Sequence, residues 1–281
     1  MSRFKRALAV LDRVPDPKTV ALICGLGLAL RLLVSAVSHG SNDIDTWQRF
    51  ARSVLRYGVL RTYELEPKFN HPPLMGYYAA FADRCATVLG LGFDVTFKLL
   101  PIIASSATVF MVQRLARLKL GSLLLFALNP TDVLISAYHG NTDSICAACC
   151  VAAVLFADRE RPFFSGLFLG AAMNVKLIPT VLIVPLALSL PPRKMWRFGL
   201  PLALSALPFV PVLLGPWQAF QSNAISYNSQ LARWGVSLLL TTMDGRLQPW
   251  SSGMQAFALA LGKPVIFGSS VLLGLVELRA R

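Results

Sequence analysis

The sequence predicts an all-α fold, a polytopic bundle of transmembrane helices, and three observations support this prediction. The chain has 281 residues, of which 55% are hydrophobic and 15% are charged, and its mean hydropathy is +0.57. A soluble domain carries about 25% charged residues. Several apolar runs approach the roughly 20 residues that a helix needs to cross a bilayer, and basic residues gather at the ends of these runs. We therefore expect a single transmembrane domain over residues 1–281, with no separate soluble domain.

The net charge of +13 comes from 27 Lys and Arg residues against 14 Asp and Glu residues. In a soluble protein this excess would suggest a nucleic-acid partner. Here the basic residues lie at the ends of apolar runs, where they orient a chain in the membrane and contact anionic head groups. We predict membrane lipids as partners and no nucleic acid.

The first apolar run, residues 19–37, follows a basic N-terminal stretch. The run is too long for the core of a signal peptide and lacks a small-residue cleavage pattern. We interpret it as an uncleaved span with the N-terminus in the cytoplasm, because cytoplasmic segments carry the excess of Lys and Arg.

The first outer loop, residues 38–71, contains the pattern of an amphipathic interfacial helix. Apolar side chains recur there at helical spacing, and polar and basic side chains lie opposite them. Such a helix lies in the plane of the lipid head groups, with its arginines near lipid phosphates. The apolar face is predicted to comprise Ile44, Trp47, Phe50, Val54 and Tyr57, and the polar face Asp45, Gln48, Arg49, Arg52 and Arg56.

The later apolar runs alternate across the membrane if every strong basic cluster is cytoplasmic. The run 73–91 then cannot cross, and Asp83 and Arg84 in its middle favour an interfacial or re-entrant helix. Asn129 and Pro130 break the run 120–138, and Asn129 is placed to cap the helix that follows. The runs that alternate are 94–113, 120–138, 143–157, 163–178, 179–191 and 198–214, and a last apolar run covers 264–276.

This topology gathers polar residues at one outer face, beginning with the acids of the first outer loop. Asp43 opens the amphipathic helix, where a carboxylate is stabilised by the helix dipole and can cap amide groups. Capping would account for one acid, but Asn42, Asp43 and Asp45 stand together beside Trp47, directly after a span. Charge is costly next to hydrocarbon. We therefore predict a catalytic carboxylate in this group.

Two histidines belong to the same predicted face. His71 lies in the segment FNHPPL, where two prolines fix a rigid entry into the next helix. It either serves this turn alone or orients a phosphate or an acceptor hydroxyl. His139 and Asp143 lie in the tight loop HGNTD, where Thr142 or Asp143 could cap the next helix. The pair could also bind a sugar hydroxyl or a metal ion, although two candidate ligands do not make a metal site.

Lys176 stands in an apolar run and has no acidic neighbour in sequence. It could extend its ammonium group to the membrane interface, or it could neutralise the phosphate of an anionic lipid. The later outer segment YNSQLARWG supplies Tyr227 and Arg233. The guanidinium group of Arg233 suits bidentate phosphate binding.

Taken in order, five segments resemble membrane glycosyltransferases of the GT-C class, in particular bacterial proteins that transfer mannose or glucose from polyprenyl-phosphate sugars. The segments are SNDIDTW, FNHPPL, HGNTD, NVKLIP and YNSQLARWG, within residues 20–240. The resemblance implies a multi-span GT-C-like fold in the bacterial inner membrane, with the active site on the non-cytoplasmic face. It also implies an acidic base in the first outer loop, which matches Asp43, with Asp45 as the second choice. A lipid-linked sugar donor is implied as well, whose phosphate would contact Lys176, Arg233 and His71.

The implied reaction is a single displacement in which Asp43 takes the proton of an acceptor hydroxyl on a glycan, lipid or protein. His139, Asn141, Asp143 and Tyr227 would bind the substrates. The departing polyprenyl phosphate needs cations rather than a general acid, so we predict no metal ion and no cofactor.

A membrane transporter or lipid flippase is the competing interpretation, and a non-catalytic scaffold is the third. Many transporters contain inverted repeats, and we see none in this sequence. Polar residues that concentrate at one face also favour the enzyme, and a scaffold would leave the clustered Asp and His residues unexplained.

Overall fold

The computed structural model describes residues 10–226 together with residues 268, 269 and 272. Every regular element in this part of the chain is helical, which confirms the all-α prediction. The α-helices are α1 Pro17–Val37, α2 Asn42–Leu65, α3 Pro73–Leu89, α4 Phe93–Ala116, α5 Leu120–Ala127, α6 Pro130–Val133, α7 Asp143–Asp158, α8 Pro162–Val175, α9 Ile183–Ser189, α10 Met195–Leu204, α11 Val210–Leu214 and α12 Trp217–Phe220. Short 3-10 or π turns connect or extend them at Leu134–Tyr138, Ile178–Leu182, Pro192–Lys194, Leu207–Phe209 and Gln221–Ile225.

Four helical stretches among the described residues are long and apolar enough to cross a membrane, which makes the protein an integral membrane protein. They are Pro17–Val37, Phe93–Ala116, Leu120–Tyr138 and Pro192–Leu214, close to four of the predicted spans. The stretches Pro162–Val175 and Ile178–Ser189 are apolar but shorter. The predicted run 264–276 lies almost entirely outside the described residues.

Local sequence signals explain where the first helices begin and end. Asp16 caps α1, because its Oδ1 accepts hydrogen bonds from the backbone nitrogens of Lys18 at 2.9 Å and Thr19 at 3.1 Å. Pro17 occupies the first turn, where its missing N–H costs nothing. α3 likewise starts at Pro73, and it ends where Gly90 adopts a left-handed φ of 65°.

Helix α2 is amphipathic as predicted, and its apolar face packs against the protein. Ile44, Trp47, Phe50 and Val54 are buried in a core cluster shared with α3, α4 and α7. Tyr57, predicted for the same face, is exposed, and Gly58 beside it has a φ of 81° that kinks the helix. The predicted contact of the exposed arginines with lipid phosphates stays a prediction.

The long helices alternate in direction between two ends of the bundle. At one end, α1 stops beside the start of α4, where Lys98 Nζ donates a hydrogen bond to the Ser38 carbonyl at 2.6 Å. We call this the acidic-loop end, because it carries residues 38–45 and 139–143. At the opposite end, Lys119 pairs with Asp12 at 3.0 Å and Lys194 pairs with Glu160 at 2.9 Å. We call this the basic end, since the basic clusters of the helix connections lie there: Arg114, Arg117, Lys119, Arg159, Arg161, Arg193 and Lys194.

Helix α3 joins two segments that both belong to the acidic-loop end. α3 starts two residues after His71, whose ring lies 4.5 Å from the Trp47 ring. It leads through a short turn into α4, where the Phe97 ring lies 5.0 Å from the Trp47 ring. Because the segments before and after α3 both contact Trp47, we favour the prediction that residues 73–91 return to the side from which they start.

The predicted break at Asn129 and Pro130 is confirmed, and a buried polar network lies behind it. Asn129 Oδ1 accepts a hydrogen bond from Thr131 N at 2.9 Å. The fully buried Arg31 of α1 donates to the free Ala127 carbonyl at 2.9 Å and forms an ion pair with Asp132. Broken helices inside a membrane need such replacement partners for the backbone. Sequence reasoning did not find this pair, although a lone arginine within an apolar run was the available signal.

Candidate active site

Asp43 and His139 form an ion pair at the acidic-loop end. The N-terminus of α2 presents Asp43, and the loop after the π turn Leu134–Tyr138 presents His139. His139 Nε2 lies 2.9 Å from Asp43 Oδ2, and His139 Nδ1 lies 2.5 Å from Ser41 Oγ. The structure therefore places the predicted base beside a residue that we had assigned to substrate binding.

The two groups shift each other's proton affinity in opposite directions. The hydrogen bond from His139 lowers the pKa of Asp43, and the positive charges of His139 and Lys176 lower it further, against a smaller opposing effect of burial. The hydrogen bond to Asp43 raises the pKa of His139 above its ordinary value of 6.5. The pair thus favours a carboxylate and an imidazolium, so Asp43 is ionised, and its lowered pKa also makes it a weaker base than a free carboxylate.

His71 lies beside this pair, is partly exposed at the cavity and is neutral at physiological pH. Burial lowers the pKa of His71 to about 4, and the charge of Lys176 adds to this effect. Tyr63 fixes the turn, because its hydroxyl donates a hydrogen bond to the His71 carbonyl at 2.6 Å. His71 Nδ1 is buried without a hydrogen-bond partner among the described residues, and the Val175 backbone forms a hydrogen bond with the ring. As a neutral group, His71 does not supply a positive charge to a bound phosphate.

Lys176 and Asp143 form a second ion pair next to the first. Lys176 follows α8, where the backbone becomes extended, and Asp143 opens α7. Asn141 precedes the N-cap residue Thr142, and its Oδ1 accepts a hydrogen bond from Asp143 N, at the first residue of α7, at 2.9 Å. Sequence reasoning had found no acidic partner for Lys176, because Asp143 comes from a distant loop.

Asp43, His71, Asn141 and Lys176 line one cavity of about 730 Å³. His139 and Asp143 are not among its lining residues, but each pairs with a residue that is. The apolar lining includes Trp47, Phe50, Leu177, Ile178, Val181 and Ala224. A cavity with both kinds of lining can hold a ligand that has both polar and apolar groups.

Asp45 lies away from this cavity. It pairs with His39 at 3.0 Å between Asp45 Oδ1 and His39 Nε2, and both side chains are more than half exposed. Because an α-helix has about 3.6 residues per turn, side chains two residues apart point in nearly opposite directions, so Asp43 faces the cavity and Asp45 faces outward. Tyr227 and Arg233 lie outside the described residues.

Four polar residues of the cavity had no role in the sequence prediction: Thr46, Lys68, Asn70 and Thr180. Lys68 is an exposed cation that comes three residues before His71. Its place beside the FNHPPL segment was the available signal, and it was missed because the outer loop carries many basic residues.

Within residues 10–226, no group of three His, Cys, Asp or Glu side chains is arranged to hold a metal ion. Within each of the pairs Asp43–His139 and Lys176–Asp143, the positive charge of one side chain balances the negative charge of the other. Chemically, the site combines a carboxylate of low pKa, a neutral imidazole and a lysine ammonium group around an amphiphilic cavity.

Comparison with known families gives a match over most of the chain. The model of a family described as Glycosyltransferase family 87 matches residues 71–280. The matched region includes His71, His139, Asp143 and Lys176, and it begins after the loop that carries Asp43. No solved structure matches the chain.

Proposed function

The chain belongs to glycosyltransferase family 87, a family of membrane-embedded enzymes of the GT-C type, and from this premise we propose its donor, its base and its sidedness. The donor is a polyprenyl-phosphate sugar, with mannose favoured. The acceptor is a hydroxyl group of a glycan, lipid or protein, and transfer occurs on the non-cytoplasmic face of a bacterial inner membrane.

The observation that carries the proposal is the mixed lining of the cavity. A polyprenyl-phosphate sugar has a polar sugar, an anionic phosphate and an apolar chain, and the cavity has lining residues suited to each. Asp43, Asn141 and Lys176 are among its polar lining residues, and Leu177, Ile178 and Val181, which follow Lys176 within five residues, are among the apolar ones. A nucleotide sugar would leave this apolar surface without a partner.

The reaction is a single displacement at the anomeric carbon. Asp43 accepts the proton of the acceptor hydroxyl as its oxygen bonds to that carbon, and the bond from the carbon to the phosphate oxygen breaks. His139 holds one carboxylate oxygen of Asp43 at 2.9 Å, and this orients the other for proton transfer. Asp45 has no part in this mechanism, since it faces outward.

The departing polyprenyl phosphate is stabilised by the ammonium group of Lys176, because a preorganised cation lowers the energy of developing negative charge. Asp143 holds Lys176 in place while no donor is bound. His71 contributes one hydrogen bond to the donor phosphate as a neutral group. Asn141 orients the sugar through its amide nitrogen, because its amide oxygen already accepts a hydrogen bond from Asp143 N.

The non-cytoplasmic placement of the site rests on the distribution of basic residues. The basic clusters between the spans lie at the basic end, opposite the cavity. Such clusters mark cytoplasmic loops, so the acidic-loop end faces the other side. The arginines of α2 then lie near lipid phosphates at the outer surface.

Donor competition tests the proposal. Purified protein in lipid vesicles is given radiolabelled mannose on a polyprenyl phosphate or on a nucleotide, with a mixed pool of bacterial envelope acceptors. We expect label to move from the polyprenyl donor only. Transfer from the nucleotide donor alone would contradict the proposed donor while leaving the family assignment intact.

A further inference from the structure

We propose that Lys98 is a positioning residue of the site: its buried ammonium group holds the end of α1 and thereby fixes the loop that carries Asp43 against His139. The inference rests on the proposed function for its catalytic consequence. Its geometric claim can be measured independently of activity.

The ammonium group of Lys98 is enclosed by backbone carbonyls at the end of α1. The Lys98 side chain is fully buried, and Nζ lies 2.6 Å from the Ser38 oxygen, 3.2 Å from the His39 oxygen and 3.4 Å from the Ser35 oxygen. A lysine has three N–H donors, so these contacts can satisfy all of them. The negative end of the helix dipole of α1 also points at this cation. Asp94, one turn earlier in α4, lies 3.8 Å away and provides the nearest carboxylate.

The carbon chain of Lys98 supports the second loop of the site. Gly140, directly after His139, has a φ of 66°, and a Cβ atom there would stand 3.0 Å from Lys98 Cγ and 2.6 Å from Ile44 Cδ1. Lys98 therefore touches both the loop before Asp43 and the loop of His139. A simple helix cap would need only the first of these contacts.

The two loops also contact each other closely. Gly40 has a φ of 107°, and a Cβ atom there would stand 2.4 Å from the Tyr138 carbonyl oxygen. Ser41 Oγ lies 2.5 Å from His139 Nδ1. Because Gly40 and Gly140 allow this approach and Lys98 lies beneath it, the distance between Asp43 and His139 depends on the anchor of α1.

The effect of Lys98 on Asp43 is geometric. The titratable groups that face Asp43 are His139, His71 and Lys176, while Asp143 faces the two histidines. Removing the anchor would let the loop of residues 38–42 relax and would separate Asp43 from His139. His139 would then lose its carboxylate partner.

The test is the titration of His139 in the full-length protein carrying Lys98→Met, which keeps an apolar stem without the charge. The chain has three histidines, so NMR signals of labelled histidine can be assigned with His39→Gln and His71→Gln. We expect the midpoint of His139 to fall in Lys98→Met toward the value in Asp43→Asn, where the partner is removed. Lys119→Met at the basic end is the matched control and should leave the midpoint unchanged.

The second arm measures kcat/KM against pH. We expect Lys98→Met to lower kcat/KM by on the order of 100-fold, as misplacement of a catalytic group does, and to shift the acid limb to higher pH. Gly40→Ala strains the same contact without removing a charge, so it should also lower the titration midpoint of His139. It replaces Lys98→Met as the test variant if Lys98→Met does not fold. An unchanged His139 midpoint in a folded Lys98→Met or Gly40→Ala protein would overturn the inference. If Lys98→Met lowers the His139 midpoint but the wild-type protein transfers no sugar, the proposed function is contradicted and the inference about Lys98 stands.

Discussion

The carboxylate of Asp43 has one oxygen held by His139 and lines a cavity beside a second ion pair, Lys176 with Asp143. Two acids and two bases thus neutralise each other locally, which reduces the cost of charge near hydrocarbon. A donor phosphate entering the cavity would compete with Asp143 for Lys176. The cation that would bind the phosphate, Lys176, is thus already present in the empty site and is held there by Asp143.

The ion pair of Asp43 and His139 predicts a pH-dependent stability. The raised pKa of His139 means that its stabilising contribution is complete below about pH 6.5 and is lost as the pH rises through the folded-state pKa. The lowered pKa of Asp43 means that its contribution is present above about pH 4 and is lost only on further acidification. Asp43→Asn should therefore lower the thermal midpoint in detergent more at pH 6 than at pH 9.

Glu160→Gln is the control for this measurement. Glu160 pairs with Lys194, and this pair contains no histidine. The lowered pKa of Glu160 keeps it ionised at both pH values. Glu160→Gln should lower the thermal midpoint by the same amount at pH 6 and at pH 9. If Asp43→Asn also lowers it equally at both pH values, His139 is not protonated in the folded protein.

Lys176→Met should weaken use of the sugar donor. The change keeps the apolar stem and removes the charge, and Asp143 is half exposed, so the fold should tolerate its release. We expect a higher KM for the polyprenyl-phosphate sugar and a lower kcat if the charge also stabilises phosphate departure. Steady-state kinetics with donor and acceptor varied separately measure this.

Asp143→Asn provides the matched comparison, since it breaks the same ion pair but keeps the cation. Its KM for the donor should stay the same or fall. An effect of Lys176→Met on the acceptor alone would place the phosphate site elsewhere and leave Lys176 as an interfacial anchor.

At the scale of the helices, two devices bring the site residues together. α2 packs its apolar face against α3 and α4, and this places Asp43 beside His71. The break at Asn129 ends α5 early, and the π turn that follows ends at Tyr138, directly before His139. Arg31 replaces the lost backbone contact at the break. The helices thus supply rigid supports for side chains that come from short loops.

Helix α3 should begin and end on the same side of the membrane. In a background without the five native cysteines, single cysteines at Lys68 and Leu91 should react with the same membrane-impermeant reagent. Both positions are exposed. A cysteine at Lys119, at the basic end, is the opposite-side control. Reaction of positions 68 and 91 from opposite sides would mean that α3 spans the bilayer.

At the scale of the whole molecule, the sequence predicted the all-α membrane architecture and the four stretches of the described residues that are long and apolar enough to cross a membrane. Composition and run length were sufficient for these stretches, because hydrocarbon permits few alternatives to a helix. Asp43, His139, Asp143 and Lys176 were selected because polar groups are rare in such a chain, and their part in catalysis stays a prediction. Which of them pair could not be predicted, since each partner comes from a loop far away in sequence.

The buried charges within the spans were the larger omission. Arg31 and Lys98 were treated as ordinary members of apolar runs, yet both are fully buried and bind backbone carbonyls of α5 or α1. A lone basic residue inside a span needs a partner, and that rule alone would have marked both positions. Their partners, however, depend on helix packing, which the hydrophobic pattern does not specify.

The central claim is that Asp43 is the base of a sugar transfer from a lipid-linked donor, and Asp43→Asn tests it most directly. The substitution keeps the size of the side chain and leaves Ser41, the N-cap of α2, unchanged, but removes the proton acceptor. In vesicles supplied with radiolabelled polyprenyl-phosphate mannose, we expect the variant to bind donor normally and to transfer sugar about two to four orders of magnitude more slowly. Asp45→Asn, which faces outward, should retain the wild-type rate. Near-normal transfer by Asp43→Asn, or loss of transfer only in Asp45→Asn, would contradict the account.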